Sequence, residues 1–190
     1  MDRRNRFSVA RIFVENEAGE VSTGTAFAVR GDGTLITNRH VVGGGARRIA
    51  VQFASSTQVW RGRVIAVSDR WDLAAVRIDI AGTVPTVRGL NLRADTLPEG
   101  TPLVLAGFPR AGEVREGVAA RAALSPATLA GVRGGRVEMY ARSSVGASGS
   151  PVFDANGQVV AILFGGSPRA ARPLLYGVPA SAVAQLLGEL

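Results

Sequence analysis

Arg136-Val137-Glu138-Met139-Tyr140-Ala141-Arg142 alternates polar and apolar residues at every step. A period of two sends one side of an extended chain toward a core and the other toward water. The stretch therefore predicts a strand whose buried face carries Val137, Met139 and Ala141. Similar short stretches are expected as strands near 7–14, 24–30, 34–37, 48–54, 58–67 and 73–79. A second set is expected near 102–108, 114–123, 136–142, 150–153, 158–164 and 174–178. Gly, Pro, Asn or Asp punctuates most of them, and Ala155-Asn156-Gly157-Gln158 predicts a tight hairpin because Asn-Gly accepts positive φ. Only the C-terminus reads as helix. There Val183, Leu186, Leu187 and Leu190 fall at i, i+3, i+4 and i+7, with Ser181 as the expected N-cap. Many short strands followed by one helix imply an all-β barrel architecture. Residues 80–101 alternate poorly and are rich in Gly, Pro and Thr, so the crossover between the two strand sets is expected there.

The chain has 190 residues, 46% apolar and 19% charged, which suits a folded protein with a substantial core. It has no cysteine, so disulfides, a thiol nucleophile and thiolate metal sites are excluded. Met1-Asp2-Arg3-Arg4-Asn5-Arg6-Phe7 has basic residues but no apolar run behind them. No signal peptide is read there, and a cytoplasmic location is expected unless a leader has been trimmed. No stretch approaches the ~20 apolar residues of a membrane-spanning helix. The formal charge is +7, and every basic side chain other than His40 is arginine. The arginines are scattered, at most two adjacent, as expected of a solvated surface rather than of a nucleic-acid or membrane footprint.

Chemistry concentrates in three places. His40 is the single histidine. It follows Leu35-Ile36-Thr37, which reads as a strand end, and precedes Gly43-Gly44-Gly45. A side chain just past a strand end is held rigidly and can still reach a cleft. Ser148 lies in Gly146-Ala147-Ser148-Gly149-Ser150-Pro151. The flanking glycines permit a turn that aims successive backbone N–H groups at one point, where they can receive an oxyanion. A serine nucleophile needs a base, and the base needs an orienting acid. Two aspartates compete for that role in Asp69-Arg70-Trp71-Asp72-Leu73-Ala74-Ala75-Val76, and local physics does not choose between them.

These segments resemble a known family. Thr23–Val42, with Gly24-Thr25-Ala26-Phe27-Ala28-Val29 and Ile36-Thr37-Asn38-Arg39-His40-Val41-Val42, resembles the histidine segment of trypsin-like serine proteases, most of all the HtrA (Deg) and glutamyl-endopeptidase branches. Asp72-Leu73-Ala74-Ala75-Val76-Arg77-Ile78-Asp79 resembles their aspartate segment and singles out Asp72. Gly146–Phe153 resembles their serine segment, Gly157–Gly165 the strand after it, and Tyr176-Gly177-Val178-Pro179 the last strand before the terminal helix. The order His, Asp, Ser matches, and the similarity runs from about residue 20 to 187.

The resemblance implies two six-stranded antiparallel barrels with a C-terminal helix. The division expected is 1–83, 84–179 and 180–190. It implies a serine endopeptidase in which His40, Asp72 and Ser148 form the triad and the N–H groups of Gly146 and Ser148 form the oxyanion hole. No metal or cofactor is implied, and the expected partner is a protein or peptide substrate. The alternative on the same fold is a latent or inactive domain that binds extended segments or awaits a regulatory partner or additional domain.

Three departures matter. Secreted digestive members carry an aspartate just before the nucleophile, which pairs with a newly cut N-terminus. Ala147 stands there and cannot form that ion pair. Leu163 replaces the Ser, Asn or His that several relatives place near the specificity pocket. HtrA proteins continue into a PDZ domain whereas this sequence stops after one helix, so HtrA-style assembly is not expected. The family's pocket is built from the segment before the nucleophile and the strand around Leu163-Phe164-Gly165. Strand parity turns Ser143 into that pocket and Arg142 out to solvent, which predicts a neutral pocket. The rival is an acidic preference, should the strand end before Arg142 and the guanidinium turn inward.

Overall fold

The structure, a computed structural model, describes residues 3–43, 45–109, 117–142, 146–167 and 172–190. After a short helix α1 (Arg3–Phe7) come β1 (Val9–Asn16), β2 (Val21–Arg30), β3 (Thr34–Thr37), the one-turn helix α2 (Arg39–Val42), β4 (Ala46–Phe53), β5 (Trp60–Val67) and β6 (Ala74–Ile78). The second set is β7 (Pro102–Gly107), β8 (Ala123–Arg133), β9 (Arg136–Tyr140), β10 (Pro151–Phe153), β11 (Val159–Ser167) and β12 (Leu174–Pro179), followed by α3 (Ala180–Gly188). Each set closes into a six-stranded antiparallel barrel, in the orders β1-β2-β3-β6-β5-β4 and β10-β11-β12-β9-β8-β7. The all-β, two-barrel expectation is met.

Strand parity explains why there are three apolar clusters. On β1, β2, β3 and β6, one face puts Ile12, Ala26, Leu35 and Val76 inside the first barrel. The other face sends Val9, Phe27, Ile36 and Ala75 outward, where they meet Phe153, Val159 and Ile162 of the second barrel and Val183 and Leu186 of α3. Leu103, Leu129, Val137, Met139 and Val152 fill the second barrel. Strands buried on both faces read as apolar runs, not clean alternation. Each fully buried Val, Leu, Ile or Phe contributes about 1.5–3 kcal/mol relative to exposure, so the shared cluster holds the two barrels together.

The crossover between Ile78 and Pro102 hydrogen-bonds first to one barrel and then to the other. Val84 and Val87 donate to Gly31 and Ala28, and Asn91 donates to Val159. The Asn156-Gly157 hairpin forms as predicted, with Gly157 at φ +73°. The Asp154 side chain accepts from the N–H groups of Asn156 and Gln158 within it.

Four expectations need correction. The strand expected at 114–123 starts instead at Ala123, and residues 114–116 lie outside the described residues. The segment before β8 is taken by the first barrel: Ala120 bridges Ala54, and Ser55 donates to the Ala120 carbonyl. The strand read as 136–142 ends at Tyr140. Glu138, on that strand's polar face, is 93% buried because Arg133 and Arg136 neutralise its carboxylate at 3.1 and 3.0 Å. Helix α3 begins with Pro179 as N-cap, so Ser181 falls within the first turn and makes no cap. Val183 and Leu186 of its apolar stripe are buried, while Leu190 lies past the helix end and is exposed.

Candidate active site

The site is assembled on β2, and glycine at position 24 is the reason. A Cβ on Gly24 would meet the Val41 side chain of α2 at 2.8 Å and the Ser148 carbonyl oxygen at 3.3 Å. The helix that carries His40 and the turn that carries Ser148 therefore press on the same point of one strand, each from its own barrel.

His40 projects from α2, directly after β3 ends at Thr37, while Val41 and Val42 are buried and anchor the turn. Two hydrogen bonds lock the histidine to Asp72. The His40 N–H donates to Asp72 Oδ1 at 2.9 Å, and His40 Nδ1 lies 2.6 Å from Asp72 Oδ2. An ionised carboxylate can only accept, so Nδ1 donates to it and Nε2 is the ring nitrogen left to act as a base. Burial alone would raise the Asp72 carboxyl. The hydrogen bonds from the His40 ring and backbone, together with the nearby positive charge, outweigh it and hold the group below the ordinary carboxylate range. Asp69, the rival aspartate, has no hydrogen bond to His40 among the described residues; the arrangement brings Asp72 to the histidine.

The turn that carries Ser148 is fastened from both sides. Gly146 and Gly149 take φ +90° and +85°. At Gly149 no other residue fits, because a Cβ would sit 2.0 Å from the Thr25 carbonyl oxygen. The Thr25 N–H donates to the Ser148 carbonyl at 2.8 Å, and Thr25 Oγ1 donates to the Gly146 carbonyl at 3.0 Å. The Gly149 N–H donates to the Leu163 carbonyl and the Leu163 N–H to the Ser150 carbonyl, at 2.8 and 2.9 Å. Ser148 itself is half-buried. Among the described residues its Oγ makes no hydrogen bond with His40, and the N–H groups of Gly146 and Ser148 donate to nothing. Catalytic hydrogen bonds are often long before substrate binds, and uncommitted N–H groups in a rigid turn are what an oxyanion needs.

The remaining predicted residues divide. Ser143 lies outside the described residues. Leu163 is 97% buried in the second-barrel interior and meets the turn through its backbone. Phe164 and Gly165 are half-buried, and the Phe164 ring stacks on Tyr176 at 6.3 Å. Strand β10 covers β11 only as far as Ile162, and the turn before β10 takes both backbone groups of Leu163, so among the described residues the edge of β11 over residues 164–167 has no partner on that side. Arg142, past the end of β9, is exposed. It lines a cavity with Leu105, Gly107, Ser125, Ala147 and Ser150, on the β7–β8 side of the turn.

Sequence reasoning gave no role to Thr25, Thr37 or Asn38. Besides its two bonds to the turn, Thr25 Oγ1 accepts from the Phe108 N–H at 3.0 Å. Thr37 Oγ1 donates to the Thr25 carbonyl at 2.8 Å. Asn38 Nδ2 donates to the Asp72 carbonyl at 2.8 Å and sets the height of the acid against the histidine. All three are fully buried. A signal was available for Thr25 alone, a polar residue between Gly24 and Ala26 that must find a partner when buried; Thr37 and Asn38 stand beside each other and before Arg39 and show none.

With this geometry in hand, comparison with known proteins is direct. The family model of the trypsin-like peptidase domain matches residues 24–162. Serine protease HTRA1B of Danio rerio is 25% identical over 181 residues, which is 93% of this chain and 36% of that protein. Mitochondrial serine protease HTRA2 of Bos taurus is 31% identical over 147 residues, 75% of this chain and 31% of that protein. The chain thus spans about a third of the length of these curated relatives. The crystal structure of the serine endoprotease from Yersinia pestis superposes with a TM-score of 0.82 at 17% identity, over 98% of this chain and 64% of that one, and shares the fold.

Proposed function

The chain belongs to the trypsin-like peptidase family, and on that premise we propose that it is a serine endopeptidase working through His40, Asp72 and Ser148. The observation that carries the reading is the paired contact of His40 with Asp72, through ring and backbone together, with the helix that carries His40 packed on β2, the strand to which the Ser148 turn is bonded. His40 Nε2 takes the Ser148 proton as Oγ attacks the peptide carbonyl. The tetrahedral oxyanion is received by the N–H groups of Gly146 and Ser148. The imidazolium, stabilised by ionised Asp72, then gives its proton to the leaving amine. Water, deprotonated by His40, hydrolyses the acyl-serine and restores the enzyme.

The substrate is an extended polypeptide segment. It adds as a strand to the unpaired edge of β11 at residues 164–167, whose backbone groups supply the hydrogen bonds. The residue before the cut bond enters a neutral pocket and is small or medium and uncharged. Supporting this, Arg142 lines the β7–β8 side of the turn, and none of Leu163, Phe164 and Gly165 lines the cavity that it borders.

Digestion of a peptide library and of unfolded casein, with mass-spectrometric assignment of cut sites, tests the whole reading. Cuts after Ala, Val, Leu or Thr are expected, and Ser148→Ala is expected to lose them. Residual catalysis from binding and the oxyanion hole alone is worth on the order of 10³–10⁴ over water in related triads. Wild-type rates in Ser148→Ala would remove the proposal. A preference for Asp or Glu that vanishes in Arg142→Ala would replace the neutral pocket with a cationic one.

A further inference from the structure

Behind the nucleophile turn lies the partly open cavity bordered by Arg142, with a volume of about 280 Å³. Two of its walls, Ala147 and Ser150, flank Ser148-Gly149 and are tied to each other by the Ser150 N–H donating to the Ala147 carbonyl at 3.0 Å. Ser150 is fully buried, and its Oγ has no hydrogen-bond partner among the described residues. The hydroxyl occupies space that only glycine at 107 leaves open, since a Cβ there would lie 1.9 Å from the oxygen. A buried, unpaired hydroxyl is unfavourable and calls for a partner. Ser125 and Arg142 also line the cavity; the Arg142 guanidinium pairs with no acidic group among the described residues, and the described lining contains no carboxylate. Leu105, Ala147 and the bare backbone of Gly107 supply an apolar floor.

We propose that this cavity is a regulatory site for a small organic carboxylate. The carboxylate is received by Arg142 and by the hydroxyls of Ser125 and Ser150, and a short apolar tail lies against Leu105 and Ala147. The volume lies at the lower end of small-molecule pockets and admits a ligand of a few heavy atoms. An occupant braces Ala147 and Ser150 from behind and so favours the turn that presents Ser148. That effect on activity rests on Ser148 being the nucleophile; binding does not. The same chemistry is offered by a free short-chain acid and by the terminal carboxylate of a polypeptide that ends in a small apolar residue.

Binding is measured on the Ser148→Ala protein, where hydrolysis plays no part, by titrating isovalerate, N-acetyl-Ala-Val and the corresponding amides under calorimetric or ligand-observed NMR detection. Both carboxylates are expected to bind, each amide at least about tenfold more weakly, with a similar loss for isovalerate in Arg142→Gln. Whichever carboxylate binds more tightly identifies the source. Ser125→Leu, on the half-exposed side of β8, is expected to fill the cavity and abolish binding while leaving the far-UV spectrum unchanged. Equal binding of acid and amide, unaltered binding in Arg142→Gln, or no carboxylate binding at millimolar concentration would overturn the site. In the wild type, isovalerate is expected to speed modification of Ser148 by a fluorophosphonate. Binding without that acceleration would overturn the regulatory role. Labelling without any carboxylate reports separately on the enzyme itself.

Discussion

Burial and hydrogen bonding act on Asp72 in opposite directions. Desolvation pushes the carboxyl up, and the two His40 hydrogen bonds bring it below its ordinary value. Because the folded value is depressed, the ionised carboxylate stabilises the folded chain. That contribution is complete above the unfolded value of about 3.9 and is lost as pH falls through the lower folded value. The difference in unfolding free energy between wild type and Asp72→Asn, followed by urea titration, is therefore expected to shrink as pH falls below about 4. A difference that keeps its size or grows below about pH 4 would contradict the pairing. The same substitution replaces an acceptor by an amide that favours the wrong imidazole tautomer. It is expected to lower kcat by on the order of 10⁴, whereas Asp69→Asn is expected to leave kcat near wild type.

At the scale of elements, β2 does more than close the first barrel, because Thr25 binds the Ser148 turn through backbone and side chain together. Thr25→Val keeps the shape and removes Oγ1. It strands the Phe108 N–H and the Gly146 carbonyl, at a cost of about 1–3 kcal/mol. Displacing the turn is expected to lower kcat on the order of tenfold to a hundredfold. Loss of stability with an unchanged turnover rate would mean that Thr25 serves packing alone. This role was not legible in the sequence, since Gly24-Thr25-Ala26-Phe27 shows a strand but not what crosses it. The strands themselves were largely legible, because inward and outward residues alternate over fixed lengths. Legibility failed where a partner from the other barrel decided the outcome. Residues 117–122 continue the apolar pattern toward β8, yet Ala120 pairs with Ala54, and the Gln52 amide donates to the Ser56 and Val118 carbonyls. Glu138 read as solvent-facing because Arg133 reaches it across a hairpin. The His40, Asp72 and Ser148 segments were identified by their resemblance to the family. Physics alone had left Asp69 and Asp72 open, and the observed ring contact separates them.

For the molecule as a whole, what matters is that histidine and aspartate come from one barrel and serine from the other, so the site exists only while the barrels are joined. Phe27, Ile36 and Leu73 from the first, Phe153 and Ile162 from the second, and Val183 and Leu186 from α3 form that joint. Leu186→Ala empties part of it and is expected to cost about 2–5 kcal/mol. Both tryptophans, Trp60 and Trp71, belong to the first barrel or its last connection. The substitution in α3, whose cluster Trp71 packs against, is expected to lower the midpoint of their fluorescence transition, together with that of the far-UV signal. A fluorescence transition that stays in place would show barrels that unfold independently. Whether the joint produces a reactive serine is tested most directly by reacting the protein with a fluorophosphonate and locating the adduct by peptide mass spectrometry, in wild type and in His40→Ala. One adduct per chain on Ser148, formed at least about a hundredfold more slowly without the imidazole, is the expected result. No adduct, an adduct on Ser150, or equal rates in the two proteins would contradict the triad.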